Sequence, residues 1–312
     1  MALPVQRGGD VNDRLIRYAQ DTYGQLHKSQ GQIFYQSGGT GNDDTDNPGT
    51  SPWSPVKTIT RANALCTAGA GDIVICLDNS PSTPAADETF PIALNKANMT
   101  VFGAFSNTFL SDSGIGCDEQ NVATFEIGAN FVTIEGMYIG CDQLGTTGGL
   151  VEFNSTNSYF GTTIRKCTFD TQYVAAYGVL ATYDQPYLLI EDCIFGRHDV
   201  AGYTTAGIYI GNLTAGFIRN NVFPCVTALG ISIGANCGNA TILDNRFSCA
   251  SDTVGMAITA ADGSSGCYFD GNNANFGITA MTNNPFRDLN NDNSNTWGLN
   301  YKAGTSTMPI GT

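Results

Sequence analysis

The sequence predicts an all-β fold, a right-handed parallel β-helix solenoid of about seven to eight coils preceded by an N-terminal helical segment. Three observations lead to this prediction: a six-residue pattern that recurs along the chain, a glycine-led pattern that alternates with it, and spacers between the two that are too short for ordinary helices. A fixed period of about 20 to 50 residues is typical of one supersecondary unit stacked many times.

The first pattern reads Ile-x-x-(Asn/Cys)-x-Phe and recurs every 24 to 30 residues. Period-2 alternation places its isoleucine on a buried face and the next residue on the opposite face. A lone strand of about four residues cannot bury its apolar face, whereas stacked coils cover one another. We therefore expect two interior ladders of like side chains. They contain Ile134, Ile164, Ile190, Ile218 and Ile242, and Ile139, Phe169, Phe195, Phe223 and Phe247.

Two further columns of residues recur at fixed positions of the same repeat. Asparagines fall at a turn position where stacked amides can bridge backbone groups of adjacent coils, and Cys167 and Cys193 occupy the same slot in earlier coils. Glycines open the second pattern, where we expect a positive φ or a close backbone approach. A β-sandwich also uses short strands, but it does not need the same residue at the same phase. The two columns contain Asn221, Asn245 and Asn272, and Gly178, Gly207, Gly230, Gly255 and Gly277.

The composition excludes several partners. The 312 residues carry a formal net charge of −14, and only 13% are charged. Nucleic acids and anionic membranes both require clustered Lys and Arg, so we expect neither as a partner. The N-terminus lacks the apolar region of a signal peptide, which predicts assembly in a cytoplasm unless a leader was removed.

The ten cysteines and two histidines do not suggest a zinc site, because no Cys-x-x-Cys pair is present. We interpret the cysteines as buried free thiols that act as small hydrophobic side chains. A disulfide among Cys225, Cys237 and Cys249 remains an alternative.

The chain divides into four parts. Residues 1–30 form a helical segment from Asp10 to about Lys28, which either docks the protein to a partner or covers the first coil. Residues 31–76 form a loop, a short capping helix and the first strand of the solenoid. Residues 77–284 form the β-helix. Residues 285–312, in which the repeat fails, form a C-terminal capping tail.

One stretch resembles the N-terminal part of pectin-lyase-like parallel β-helix proteins. It contains Thr58-Ile59-x-x-Ala62 and Ala70-Gly71-Asp72, and the later Ile-x-x-Asn-x-Phe units resemble the coil repeat of that family. The resemblance covers about residues 33–280. It implies that a helix caps the solenoid and that the Ala-Gly-Asp turn opens the first coil. The family includes polysaccharide lyases, glycoside hydrolases, phage tailspikes and non-catalytic virion proteins, so it implies a fold rather than an activity.

The most regular carboxylates are explained by structure. Glu135, Arg165, Glu191 and Arg219 follow the ladder isoleucines, so in-register stacking places them about 4.8 Å apart as an ion-pair column. Lys166 and Asp192 could add a second column.

The remaining catalytic candidates lie near the turns. His198 could act as a general base and Arg197 could bind a sugar carboxylate, with Asp199 beside them. Asp170 and Asp184 lie on neighbouring turns. A solvated turn is the alternative for all five residues.

One acidic loop has the odd-position oxygen spacing of a calcium site. It contains Asp288, Asn290, Asp292 and Ser294, although Asn293 replaces the usual glycine and the terminal glutamate is missing. Calcium is the one cofactor that the sequence suggests.

These observations and the resemblance favour a structural protein on the virion surface of a tailed phage: a small spike, a head fibre or a capsid decoration. We expect a homotrimer that contacts other virion proteins through residues 1–30 and binds a cell-surface polysaccharide. The first alternative is a polysaccharide lyase or glycoside hydrolase on the same scaffold. The second is a surface adhesin.

Overall fold

The computed structural model describes residues 31–78, 88–104, 114–117, 122–141, 146–154, 156–170, 175–196, 203–226, 228–249, 256–274, 285–290, 294–302 and 305–307. Within these ranges the chain forms the predicted parallel β-solenoid. The helical segment expected in residues 1–30 lies outside them.

Each coil of the described chain passes through three parallel sheets. Six coils have a strand in every sheet, and partial coils lie at both ends, where the sequence predicted seven to eight coils. The largest sheet contains, in spatial order, β1 (Ile33–Ser37), β2 (Ile73–Asp78), β4 (Thr100–Gly103), β7 (Thr133–Glu135), β10 (Thr163–Arg165), β13 (Leu189–Glu191), β16 (Phe217–Arg219), β19 (Thr241–Leu243), β22 (Tyr268–Asp270) and β24 (Thr296–Trp297).

The other two parallel sheets complete the coil. The smaller one, which we call the six-stranded sheet, contains β5 (Gly114–Cys117), β8 (Tyr138–Cys141), β11 (Thr168–Phe169), β14 (Ile194–Phe195), β17 (Val222–Val226) and β20 (Arg246–Cys249). The eight-stranded sheet contains β3 (Ile92–Leu94), β6 (Phe125–Ile127), β9 (Thr146–Phe153), β12 (Ala175–Asp184), β15 (Ala206–Thr214), β18 (Leu229–Gly238), β21 (Met256–Ala260) and β23 (Phe286–Asp288).

Both predicted apolar ladders are confirmed. The ladder isoleucines pair in register in the largest sheet and are buried. The phenylalanine rings of the six-stranded sheet stack face to face, with centroids 4.5 Å apart for Phe169 and Phe195, 4.9 Å for Phe195 and Phe223, and 4.8 Å for Phe223 and Phe247. These spacings match the rise of about 4.8 Å between neighbouring strands, so the rings follow the coils one for one.

The asparagine column forms a continuous hydrogen-bonded ladder inside the solenoid. Asn245 Nδ2 donates to Asn272 Oδ1 at 3.0 Å and to the Ile218 carbonyl at 3.0 Å, while Asn245 Oδ1 accepts from the backbone N–H and side chain of Asn221. Asn300 extends the ladder by one coil. Each buried amide therefore satisfies backbone groups that the turn would otherwise leave without partners.

The predicted cysteine slot is also confirmed. The Asn221 side chain accepts from the Cys193 backbone N–H, and the thiols of Cys167 and Cys193 lie 3.6 Å and 3.7 Å from carbonyls of the preceding coil. Burial raises the pKa of the Cys66 and Cys237 thiols to about 12. Cys237 is free, so no disulfide involves it, and the side chains of Cys225 and Cys249 lie outside the described set. The described free thiols, all buried, are Cys66, Cys76, Cys117, Cys167, Cys193, Cys237 and Cys267.

The described members of the glycine ladder make close approaches and do not have a positive φ, while Gly255 and Gly277 lie outside the described residues. A Cβ on Gly230 would lie 2.5 Å from Phe247 Cε1 and 2.6 Å from the Ala257 carbonyl oxygen. Gly178 and Gly207 meet the neighbouring phenylalanine in the same way. The backbone therefore packs directly on the stacked rings.

Positive φ occurs instead in two turn columns. The first lies directly after the strands of the largest sheet and holds Gly136, Lys166, Asp192, Asn220, Asp244 and Gly271. The second lies two residues before those strands and holds Asn98, Phe131, Gly161, Tyr187, Ala215, Asn239 and Gly266. The left-handed conformation costs a residue with a Cβ about 1–2 kcal/mol.

Helix α1 (Ile59–Leu65) covers the N-terminal end of the solenoid. The Thr58 hydroxyl accepts from the Arg61 backbone N–H, and the Glu88 carboxylate accepts from the backbone N–H groups of Ile59 and Thr60 at 2.7 and 3.0 Å. Burial raises the pKa of Glu88. The capping helix predicted from the sequence is therefore present, three residues shorter than expected at its C-terminus.

The C-terminal tail continues the coil although its sequence leaves the repeat. β23 and β24 extend two sheets, and the Trp297 ring stacks on Phe269 with centroids 4.0 Å apart. Tryptophan thus occupies the interior position that isoleucine fills in earlier coils. An antiparallel pair, β25 (Asn300–Lys302) and β26 (Thr305–Thr307), follows.

Asn245→Ala should lower the free energy of unfolding by about 3 kcal/mol, because it leaves several buried donors and acceptors without partners. Denaturant unfolding followed by circular dichroism measures this change. Asn236→Ala is the control, since Asn236 is exposed in β18. Equal stability of the two variants would show that the ladder does not stabilise the fold.

Gly230→Ala should lower the free energy of unfolding by about 1–3 kcal/mol, because the added methyl group overlaps the Phe247 ring. Gly238→Ala in the same strand is the matched control, since its Cβ would meet only the Ser265 carbonyl oxygen, at 3.8 Å. The same denaturation assay compares the two, and a Gly230 variant as stable as the control would contradict the packing argument.

Candidate functional site

The outer face of the eight-stranded sheet carries a column of side chains, one from each coil. The column begins with an alanine, continues with two carboxylates, an apolar residue, an aromatic residue and two hydroxyl residues, and ends with an arginine. In-register pairing places its members on neighbouring strands. We call it the outer column; it contains Ala93, Glu126, Glu152, Leu180, Tyr209, Ser232, Thr259 and Arg287.

Two glutamates lie side by side at one end of the outer column. Glu126 and Glu152 are Cα partners on β6 and β9, so their backbones are about 4.8 Å apart. Glu126 Oε1 accepts from Asn154 Nδ2 at 2.7 Å, and Glu152 Oε1 accepts from the Gly149 backbone N–H at 2.6 Å. A hydrogen-bond donor from the protein thus holds each carboxylate in place.

The surroundings of Glu152 lower the acidity of its carboxyl group. Burial raises the pKa of Glu152, and the neighbouring Glu126 charge raises it further, although the hydrogen bond from Gly149 opposes both effects. Both glutamates are only partly buried, so solvent can reach the pair. A carboxyl group with a raised pKa can supply a general acid.

Two tyrosines lie on the next two strands of the same sheet, Tyr177 on β12 and Tyr209 on β15, and Leu180 separates Tyr209 from Glu152 in the outer column. The Tyr177 and Tyr209 rings are 5.6 Å apart with their planes inclined by 53°. Both residues are partly exposed. Aromatic faces beside hydrogen-bonding groups can bind a ligand that has apolar faces and polar edges.

Among the residues predicted from the sequence, Asp170 is buried after β11. The Tyr138 hydroxyl donates to Asp170 Oδ2, and the Asp170 backbone N–H donates to the Ile139 carbonyl at 2.7 Å. The carboxylate therefore helps to join two coils of the six-stranded sheet.

Asp184 lies at the far end of β12, ten residues long at about 3.3 Å per residue, so the strand separates it from Asp170. The two aspartates do not meet at one site. Asp184 Oδ2 accepts from Thr214 Oγ1 at 3.3 Å, while Asp184 Oδ1 is buried without a hydrogen-bond partner. The other three candidates, Arg197, His198 and Asp199, lie outside the described residues.

The suggested calcium loop is described at Asp288, Asn290 and Ser294, but not at Asp292. The Asp288 carboxylate accepts from the Trp297 ring N–H at 2.7 Å, from the Asn290 backbone N–H at 3.0 Å and from the Asn295 side chain. Asn290 Nδ2 donates to Ser294 Oγ at 2.8 Å. These bonds tie the loop to the last coil. Across the described chain, no three His, Cys, Asp or Glu side chains group as a metal site.

The predicted ion-pair column is present on the largest sheet. Arg165 Nη2 lies 2.7 Å from Glu135 Oε2, and Arg219 Nη2 lies 2.7 Å from Glu191 Oε2. Lys166 joins the first pair, with its Nζ 3.3 Å from Glu135 Oε1. The column therefore has a structural role, as the sequence indicated.

The sequence analysis missed the glutamate pair. The signal is a repeated triplet, Phe125-Glu126-Ile127 and Val151-Glu152-Phe153, in which one glutamate alternates with two buried residues. The triplets lie outside the Ile-x-x-Asn-x-Phe pattern, so a search built on that pattern passes over them.

The three parallel sheets define the class of protein as a parallel β-solenoid. The family model described as right handed beta helix region matches residues 104–284, which is more than half of the chain. This chain belongs to the right-handed β-helix family.

Among solved structures, the GH136 lacto-N-biosidase from Eubacterium ramulus is similar to this chain, with 13% sequence identity and a TM-score of 0.49. The similarity covers 92% of this chain and 62% of that chain. A search of curated protein sequences found no match. In the described part of the chain, no helix has the length and hydropathy needed to span a membrane.

Glu152→Gln should become more stable relative to the wild type as the pH rises above 4.5, the ordinary pKa of this carboxyl group. The folded wild type holds this proton more tightly than the unfolded chain, so its free energy of unfolding falls as the pH rises through the raised pKa. The glutamine side chain does not ionise and avoids this loss. Denaturation at a series of pH values from 4 upward measures the difference.

Glu126→Gln is the control for this prediction. Removing the neighbouring charge should lower the pKa of Glu152 and reduce the pH dependence without abolishing it. Parallel pH profiles for the wild type and Glu152→Gln would contradict the burial argument.

Proposed function

We propose that this chain is a structural protein on the virion surface of a tailed phage, and that it binds a glycan through the outer column. The observation that carries the proposal is the juxtaposition of Glu126 and Glu152 with the Tyr177 and Tyr209 rings on one solvent-facing sheet. Carboxylates can accept hydrogen bonds from sugar hydroxyls, and the rings can pack against the C–H faces of sugars.

The scaffold supports the structural part of the proposal. The coils are joined by ladders of isoleucine, phenylalanine and asparagine in which each member contacts the next. In a solenoid, stability grows from such nearest-neighbour contacts. A particle outside the cell depends on slow unfolding, because it cannot replace an unfolded protein. The proposal includes a homotrimer that docks to the particle through residues 1–30.

A second function is favoured by the same glutamate pair. In retaining glycosidases the two carboxyl groups are about 5–5.5 Å apart, one protonated and one ionised. Glu152, with its raised pKa, would be the acid, and Glu126 would be the nucleophile. The alternative is therefore a glycoside hydrolase on the β-helix scaffold.

A panel of host-derived surface polysaccharides, incubated with the full chain with and without calcium, tests both functions. Affinity electrophoresis measures binding, while reducing ends and absorbance of unsaturated sugars measure cleavage. We expect binding without cleavage, weakened about tenfold or more by Tyr209→Ala. Tyr268→Ala is the control, because Tyr268 is an exposed tyrosine on the largest sheet.

The outcomes separate the two functions. If the protein cleaves a polysaccharide and Glu152→Gln abolishes the cleavage, the glycoside hydrolase replaces the structural protein as the proposed function. Absence of binding across the panel would contradict the glycan-binding role, and a monomer in native mass spectrometry would contradict the trimer.

A further inference from the structure

Three exposed aromatic residues lie at the corner of the solenoid where the eight-stranded sheet turns into the largest sheet, and a fourth, Phe217, begins strand β16 beside that corner. Phe131 is 53% exposed, Phe160 44%, Tyr187 63% and Phe217 46%. They come from four successive coils, and we call them the aromatic stripe. The stripe is separate from the outer column, which lies on the face of the eight-stranded sheet.

Two members of the stripe occupy strained backbone positions. Phe131 has φ +57° and Tyr187 has φ +61°, in the turn column where other coils place Asn98, Gly161 or Asn239. Asparagine and glycine tolerate this region, whereas it is unfavourable for bulky side chains. More than half of the surface of each residue is exposed, so burial in the core does not offset the strain. Strained backbone at exposed aromatic residues motivates the hypothesis of a functional role.

The backbone that carries the first three residues of the stripe is joined from coil to coil. The Phe131 backbone N–H donates to the Phe160 carbonyl at 2.7 Å, and the Gly161 N–H donates to the Pro186 carbonyl at 2.9 Å. The Phe131 ring also packs over Gly161, where a Cβ would be 2.5 Å from the ring. The spacing of these residues along the solenoid axis is therefore set by the stacked turns.

The neighbours of the stripe decide between two kinds of ligand. The ion pairs of Arg165 with Glu135 and of Arg219 with Glu191 lie on the adjoining sheet face. Charged residues are depleted in the core of protein–protein interfaces, so a second copy of this chain fits the stripe poorly. A sugar chain has both apolar ring faces and hydroxyl groups, which match aromatic rings beside charged hydrogen-bonding groups.

The charge of the surface selects the class of sugar polymer. In the ion-pair column of the largest sheet, Glu135 is paired with Arg165 and Glu191 with Arg219. The whole chain has a formal net charge of −14, which disfavours the binding of polyanions. We infer that the aromatic stripe binds a neutral polysaccharide that runs parallel to the solenoid axis. This inference rests on the proposed glycan-binding function and adds a second subsite with its own ligand class.

Affinity electrophoresis of the full chain in gels containing dextran, laminarin, xyloglucan or galactomannan tests the inference. The variants are Phe131→Gly and Tyr187→Gly, which remove a ring and relieve the positive φ, so folding is retained or improved. We expect each to weaken binding about tenfold or more. Trp53→Ser is the control, because it removes an aromatic side chain that is 78% exposed in the N-terminal loop.

Three outcomes would overturn the inference. Unchanged binding by both glycine variants, together with loss of binding in Tyr209→Ala, would exclude the stripe while the proposed function stands. Absence of binding to both these gels and the host-derived panel would contradict the inference and the proposed function together. Dissociation of an oligomer by Tyr187→Gly, with sugar binding intact, would assign the stripe to contact between copies of the chain.

Discussion

In-register hydrogen bonding between successive coils is the constraint on which the rest of the molecule depends. At the asparagine corner each turn must give its backbone groups partners in the neighbouring coil, because this corner is buried and water cannot reach it. The asparagine ladder meets this requirement with side chains: Asn245 bonds both to its neighbours in the ladder and to the Ile218 carbonyl. Once the corners are in register, isoleucines meet isoleucines and phenylalanine rings stack at the strand spacing. The packing of the core is therefore a consequence of the turns.

Residues whose chemistry repeats were predictable from the sequence, and residues whose role depends on local geometry were not. Position within the sequence repeat is enough to predict the isoleucine, phenylalanine and asparagine ladders and the Arg219–Glu191 pair. For the glycine ladder the sequence left two alternatives open, a positive φ and a close approach; Gly178, Gly207 and Gly230 show the close approach, and the positive φ values lie in other columns, which hold Lys166 and Tyr187. The conformational preferences of amino acids do not predict an aromatic residue at a position of positive φ. The last coil was hidden because tryptophan replaces isoleucine at Trp297 and the motif disappears while the backbone path continues.

The candidate site was harder to predict than the fold. Asp170 and Asp184 were chosen because they lie near turns, yet one bonds to Tyr138 within the six-stranded sheet and the other ends a ten-residue strand. Glu126 and Glu152 were passed over because each is one residue in an ordinary alternating strand. Their significance comes from register, which pairs them across β6 and β9 and buries one more deeply than a surface carboxylate. Pairing of strands from distant coils is not visible in a local pattern.

The asparagine ladder also gives the solenoid a direction. Each amide donates its Nδ2 proton toward the next coil and accepts from the previous one, from Asn221 through Asn245 and Asn272 to Asn300. A coil removed from the middle of this run would leave donors and acceptors facing each other as before. Whole coils are thus interchangeable units, whereas the loss of a single residue inside a strand moves the residues that follow it in that strand to the wrong face. Evolution can change the reach of such a molecule in steps of one coil, about 4.8 Å each.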